Sequence, residues 1–196
     1  MRASALVLTI AVSLCAAPAA MARTTDGTAK TSQAAIEVGG AAYGLPNPAT
    51  TRTTPTETAQ ILPNGLAAAP EDAPQEVKDA IAAANRIVGK PYVYGGGHNL
   101  RFRGRGYDCS GTVSYALHGG DLLARPLDSG SFMHWGRRGR GEWITVYTNP
   151  GHAFAVIAGL RLDTSAAGDP SGLSGPRWRP VLRRTRGFVA RHPRGF

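Results

Sequence analysis

Cysteine is the scarcest chemically useful residue in this chain. There are two among 196 residues, Cys15 and Cys109. Acidic residues are also few, 13 against 22 Lys and Arg. Aromatics make up only 7% of the chain. Each shortage excludes something. Two cysteines cannot form a disulfide scaffold, and scattered histidines beside them do not form a zinc site. No Walker-type glycine loop is present to cradle a nucleotide phosphate. No apolar run is long enough to be a convincing membrane span. No metal or cofactor is expected, and no stable membrane anchor.

The first 22 residues read as a secretory signal. Arg2 supplies a positive start, "ALVLTIAVSL" (Ala5 to Leu14) a short apolar run, and Ala20-Met21-Ala22 an A-x-A cleavage site. Cys15 lies within it, directly after bulky Leu14. A lipoprotein signal carries a small residue there, so lipid attachment is not expected. A secreted or cell-wall-associated protein follows, with Cys109 as its single mature cysteine. An exposed thiol outside the cell oxidises, so keeping one needs a reason.

Residues 23–75 are rich in Thr, Ala, Pro and Gly and sustain no hydrophobic period. That composition buries too little apolar surface to offset ordering entropy, so a flexible, disordered linker is expected. "IEVGGAAYGL" is a possible short strand within it. The linker carries three basic and five acidic residues, whereas residues 76–196 carry 18 basic and 8 acidic. The basic character therefore belongs to a folded domain over 76–196, and the chain is expected to be a monomer.

Within that domain "PQEVKDAIAAANRIVGKPY" predicts a helix, with Val77, Ile81, Ala84 and Val88 on one face and Gly89 and Pro91 ending it. "YVYGGGHNLRFRGRGY" predicts a short strand edge and a glycine-rich loop. "YDCSGTVSYALHGG" predicts a second helix, stopped by Gly119 and Gly120. "EWITVYT", "HAFAVIAG", "LRLDTS", "RWRPVLR" and "GFVARHP" predict strands, with Asn149-Pro150-Gly151 and Gly159 at turns. Helices first and an antiparallel sheet after give an α+β order.

Asp108 is a good N-cap, which places Cys109 in the first turn of its helix. Unpaired backbone N–H groups there favour a thiolate, and also an oxyanion on a substrate carbonyl. Gly111 lets another segment come close. A thiolate nucleophile needs a base, and five histidines are available. His118 ends the same helix, roughly 13 Å from Cys109 along the axis, and suits the helix C-terminus instead. His98 and His134 lie in loops, and His192 near the chain end. His152 opens an apolar strand after a Pro-Gly turn, at the edge where the Cys109 helix could meet it. Antiparallel pairing around Gly159 brings "LDT" beside "HAF". Asp163 is then the natural partner of the far ring nitrogen, with Thr164 the alternative if the register slips and His192 the next candidate.

The stretches "IVGKPYVYGGG", "YDCSGTVSYAL" and "GHAFAVIAG" resemble, in order, the motifs of the NlpC/P60 family of secreted cell-wall cysteine peptidases. The resemblance covers residues 76 to about 165. It implies a papain-like core in which the cysteine helix packs on a small antiparallel sheet. It also implies Cys109 as nucleophile, His152 as base, and Asp163 in the place where the family usually has His, Asn or Gln. Tyr92, Asp108 and Ser110 match positions beside the nucleophile that help recognise substrate. The implied activity is hydrolysis of amide bonds in peptidoglycan stem peptides through a thioester. Arginine-rich "HNLRFRGRGY", the stretch "LDSGSFMHWGRRGRGEW" and the basic tail depart from the family pattern and are expected to shape the substrate groove. Two other readings stay open: a wall-binding protein without catalysis, and a thiol acyltransferase or amidase with another substrate. The runs "RFRGRG" and "RRGRG" look like nucleic-acid-binding sequence, but no nucleic-acid partner is expected of a secreted protein with this cysteine motif.

Overall fold

The computed structural model describes residues 58–180 and 182–196. Among them are three helices, a two-stranded sheet and a six-stranded sheet, a mixed helix-and-sheet architecture compatible with the α+β class. The expected signal peptide and residues 23–57 lie outside the described residues.

Helix α1 spans Gln75–Ile87 and α2 spans Cys109–Gly119. α1 buries Val77, Ala80, Ile81 and Ala84 on one stripe, the spacing a helical face requires. α2 answers with Val113, Ala116 and Leu117. Small residues let the two helices come close. A Cβ on Gly119 would lie 2.1 Å from the Cβ of Ala83, and one on Gly120 would lie 2.3 Å from the carbonyl of Glu76. These glycines therefore set the contact as well as ending α2.

The main sheet is antiparallel throughout. Its strands are β3 (Arg137–Arg138), β4 (Ile144–Asn149), β5 (His152–Ile157), β6 (Leu160–Asp163), β7 (Arg177–Arg179) and β8 (Val189–His192), in the order β3-β8-β4-β5-β6-β7. The β4–β5 turn is locked by Asn149, whose side-chain oxygen accepts the N–H of Gly151 at 3.0 Å and of His152 at 2.9 Å. The β5–β6 turn has positive φ at both central residues, 46° at Ala158 and 78° at Gly159. That is the backbone of a tight two-residue hairpin, and it fixes the register Ala155 opposite Leu162.

Side chains alternate across a strand. Ile144, Val146, Ala153, Ala155, Ile157 and Leu162 form one face of the sheet and join the helices in the core. The other face carries Tyr147, Phe154, Arg161, Asp163 and Arg179, and it is buried as well. Ile144 through Thr148 are all buried, so β4 has no wet face. The cause is the chain beyond β7, which returns across this face and stacks Phe188 edge-on against Phe154, 5.2 Å between centroids.

The structure corrects the linker boundary. Residues 58–74, expected to be disordered, fold onto the domain as a short hairpin of β1 (Gln60–Ile61) and β2 (Ala67–Ala68). Ala59, Ala67 and Ala73 are buried in the core. Asn85 of α1 fastens the hairpin: its side chain accepts the N–H of Ala67 at 2.9 Å and donates to the Ala67 carbonyl at 2.8 Å. The indole N–H of Trp178 donates to the same Asn85 oxygen at 2.7 Å. Two-residue strands leave no periodic signal, and alanines bury by small size rather than by pattern. Helix α3 (Ser129–Phe132) and β3 are likewise too short to have been read from sequence. "YVYGGG" forms no strand, only an isolated bridge of Tyr92 to Tyr107.

Candidate functional site

Asp108 is the N-cap of α2, and its Oδ1 accepts the N–H of Gly111 at 2.7 Å. Its main-chain carbonyl takes the N–H of Thr112 at 3.0 Å. The first-turn amides of Cys109 and Ser110 are left pointing out of the helix end. Cys109 is the first helical residue, with 8% of its surface exposed. Gly111 does permit a close approach: a Cβ there would lie 2.0 Å from the Gly96 carbonyl of the glycine loop.

His152 opens β5, and α2 packs along that strand. Its Nε2 lies 2.9 Å from Oδ1 of Asp163. With Nε2 committed, Nδ1 is the nitrogen left to face the Cys109 sulfur, close enough for the two groups to shift one another's ionisation. Burial pushes the Cys109 thiol up. The His152 hydrogen bond, the Ala153 N–H and the imidazole charge outweigh that and hold the thiol below its ordinary value, against a smaller opposing push from Asp108. Burial pulls His152 down, but hydrogen bonds to Asp163 and Cys109 raise it to about 9. Burial likewise works against the Asp163 carboxylate. Its bonds to His152, to the Ser165 N–H and to Arg183 prevail and keep it below the usual range. The three shifts point the same way, each favouring the charged form: thiolate, imidazolium, carboxylate.

Asp163 is 1% exposed and held by more than His152. Oδ1 also accepts the Ser165 N–H at 2.8 Å. Oδ2 faces Arg183 Nη1 at 3.1 Å and Arg161 Nε at 3.5 Å. Arg179 donates its Nε–H to the Asp163 carbonyl at 3.1 Å. Arg161 and Arg179 are fully buried. The polar loop after β6 takes up their terminal nitrogens: Arg161 Nη1 and Nη2 donate to the carbonyls of Ala167 and Ser165, and Arg179 donates to that of Leu173 and to Asp169 at 2.6 Å, while Arg161 Nε makes no hydrogen bond. Sequence reading missed this cluster, because an arginine in an alternating strand reads as solvent-facing.

His98 is a second residue that sequence reading left without a role. Its Nε2 lies 2.9 and 3.0 Å from the two oxygens of Asp108, and Ser110 Oγ lies 3.3 Å away. Gly95 donates its N–H to Asp108 at 3.0 Å. Two imidazole–carboxylate pairs thus flank Cys109. Only a contact across the glycine loop makes the second, so no spacing in the sequence announces it.

A cleft of about 370 Å³ opens over the thiol, lined among others by Tyr92, Tyr94, His98, Ser110, Ser129 and Gly151. Tyr92, Asp108 and Ser110 therefore all reach the Cys109 cleft. Burial, then the negative charge of Cys109 and Asp108, raises the Tyr92 phenol. His192 lies elsewhere: its Nδ1 is 3.1 Å from the Gly139 carbonyl beside β3. Thr164 is buried, but the carboxylate that meets His152 belongs to Asp163. His118 sits in the last turn of α2, stacked on Phe102 at 3.9 Å, with Nδ1 3.0 Å from the Leu123 carbonyl. That stacking anchors the arginine-rich insertion on α2.

No protein-family model matches this chain, and no curated protein matches it significantly. Among the described residues no helix is long and apolar enough to cross a membrane, and no group of His, Cys, Asp and Glu has the arrangement of a metal site. Chemically, the arrangement can present a thiolate to an electrophilic carbonyl, deliver a proton from the imidazolium, and offer two backbone amides to developing negative charge.

Proposed function

We propose that this domain is a papain-like cysteine peptidase of the NlpC/P60 kind, acting on amide bonds in peptidoglycan stem peptides. The observation that carries the reading is one continuous chain of contacts: Cys109 to His152, and His152 to Asp163 at 2.9 Å. A cysteine whose role is packing has no need of a buried carboxylate behind its imidazole.

Catalysis begins from the ion pair. The Cys109 thiolate attacks the amide carbonyl carbon, and the oxygen takes the negative charge. The N–H groups of Cys109 and Ser110 at the α2 N-terminus stabilise it. The tetrahedral intermediate collapses as His152 donates its proton to the leaving nitrogen. An amine departs and a thioester remains. The now neutral imidazole takes a proton from water, which attacks the thioester. A carboxylic acid leaves and the thiolate–imidazolium pair returns. Asp163 holds the ring throughout and stabilises its charged form.

The ordered motifs around Tyr92, Cys109 and His152 support the wall-peptide substrate, as does the surplus of positive charge over residues 76–196, which suits an anionic wall. The signal-like sequence over residues 1–22 supports a location at or outside the cell surface. The test is incubation of purified peptidoglycan with the protein and its Cys109→Ala variant, followed by mass spectrometry of released fragments. New stem-peptide ends with the wild type alone support the reading and identify the bond. No new ends beside a thiol that reacts fast with an alkylating probe point to a thiol amidase or acyltransferase with another substrate. No ends and a sluggish thiol point to a binding protein.

A further inference from the structure

Resting on the reading that Cys109 and His152 react as a pair, we propose that Arg183 is a positioning residue for His152, acting through Asp163 and Phe188. Arg183 lies between β7 and β8, where described residues 182–188 form no helix or strand.

The carboxylate of Asp163 divides its two oxygens. Oδ1 serves His152 and the Ser165 N–H. Oδ2 is held by Arg183 Nη1 at 3.1 Å, while Arg161 Nε stands further off at 3.5 Å. Arg183 therefore stops the carboxylate from rotating and keeps Oδ1 aimed at the imidazole. Arg179 is committed to the Asp163 main-chain carbonyl, to Asp169 and to loop carbonyls, and Arg161 gives Nη1 and Nη2 to loop carbonyls; its Nε, 3.5 Å from Oδ2, makes no hydrogen bond, so Arg183 alone donates one to Oδ2.

The same guanidinium lies 5.3 Å from the ring centres of both Phe154 and Phe188. Those rings in turn flank His152, Phe154 at 6.4 Å and Phe188 edge-on at 6.3 Å. One side chain thus fixes the imidazole from two directions, through its hydrogen-bond partner and through its aromatic neighbour. A planar fork donates to the carboxylate while it stacks on the rings, whereas an ammonium, a compact point charge on a flexible stem, holds the two contacts less firmly together.

Charge makes the role measurable. The charged groups facing the His152–Asp163 pair are Cys109 from α2, Arg161 from β6 and Arg183 from the returning segment. Arg179 sits behind the Asp163 carbonyl and is neutralised by Asp169. Removing Arg183 takes away one cation, so the carboxylate acts more fully on the imidazolium, which then keeps its proton to higher pH. Arg183 also borders a hollow of about 350 Å³ with Ala167, Gly168, Leu182 and Arg184, open to small solutes.

The experiment compares wild type, Arg183→Ala and Arg183→Lys as full chains. It measures the pH dependence of Cys109 alkylation by iodoacetate, whose carboxylate the imidazolium attracts. Arg183→Ala is expected to alkylate roughly tenfold more slowly at neutral pH, the cost of a misplaced acid–base group. Its alkaline limb should rise by about half a unit or more. Guanidinium ion at tens of millimolar should restore rate and limb, and urea should not. Arg183→Lys should keep the limb but not the rate. An unchanged profile in Arg183→Ala overturns the proposal. So does a slow, less stable variant with an unmoved limb that guanidinium does not rescue, since that is a purely structural role. Wild-type Cys109 reacting no faster than free cysteine removes the premise, whatever Arg183 does.

Discussion

His152 and Asp163 stand eleven positions apart in the chain and 2.9 Å apart in space, joined across the β5–β6 hairpin. The two-residue turn at Ala158-Gly159 sets that meeting. A one-residue slip would send Asp163 to the helix face of the sheet and present Thr164 instead. The site's geometry therefore depends on a turn remote from the thiol.

Replacement of Asp163 tests the carboxylate itself. Asp163→Asn is expected to lower turnover by roughly 10²-fold, and Asp163→Ala further, because an amide still accepts one bond while a methyl accepts none. Both should also destabilise the fold by about 3 kcal/mol, the low end for a broken buried pair because Arg183 is partly exposed. Urea unfolding beside the rate measurement checks both. Wild-type activity in Asp163→Ala would place the orienting role elsewhere.

The ionisation of His152 predicts a pH profile. The ring is raised to about 9, so activity should hold through neutrality and fall as pH passes that value. The sign for stability follows. A folded-state value above the unfolded value of about 6.5 contributes stability fully present below 6.5 and lost as pH rises through 9. The lowered thiol of Cys109 works in the opposite sense, adding stability as pH rises towards the unfolded thiol value. Cys109→Ala isolates the imidazole. With only Asp163 left to raise the ring, its unfolding free energy should still fall as pH rises above 6.5, over a narrower window than the wild type's, and a flat curve there would contradict the assignment.

Much of this site can be read from sequence, and what cannot has physical reasons. Asp108 before Cys109 signals a cap, and the Pro150-Gly151 and Gly159 turns place His152 and Asp163 on neighbouring strands. The stripe of Val77, Ile81 and Ala84 announces α1 by its period. Arg161 and Arg179 defeat such reading, because only carbonyls from the loop after β6 make their burial tolerable. The His98–Asp108 pair escapes it because a loop contact has no period. The hairpin at 58–74 escapes because Ala67 is fastened by a side chain eighteen positions away.

Asn85 offers a test of that hairpin. Asn85→Ala removes bonds to both main-chain groups of Ala67 and strands the Trp178 indole N–H. A loss of roughly 2–4 kcal/mol is expected from the stranded groups, with faster proteolysis within 58–74. Unchanged stability would mean that Asn85 does not hold the segment.

Gly111 tests the approach of the glycine loop to α2. The Cβ of Gly111→Ala would meet the Gly96 carbonyl, so loop and helix must part. About 1–3 kcal/mol of stability should be lost. Because Gly95 and His98 hold Asp108, substrate KM should also rise. Wild-type stability and kinetics in the variant would show that the loop yields freely.

The central claim is that Cys109 is a thiolate at neutral pH because His152 is its cationic partner. The ultraviolet absorbance of the thiolate, titrated in wild type and His152→Ala with Cys109→Ala as the blank, tests it directly. The account predicts thiolate absorbance at neutral pH in the wild type, and in His152→Ala a return to the titration of an ordinary or higher-lying thiol. A wild-type thiol that ionises like free cysteine, or one unchanged by loss of His152, would contradict it.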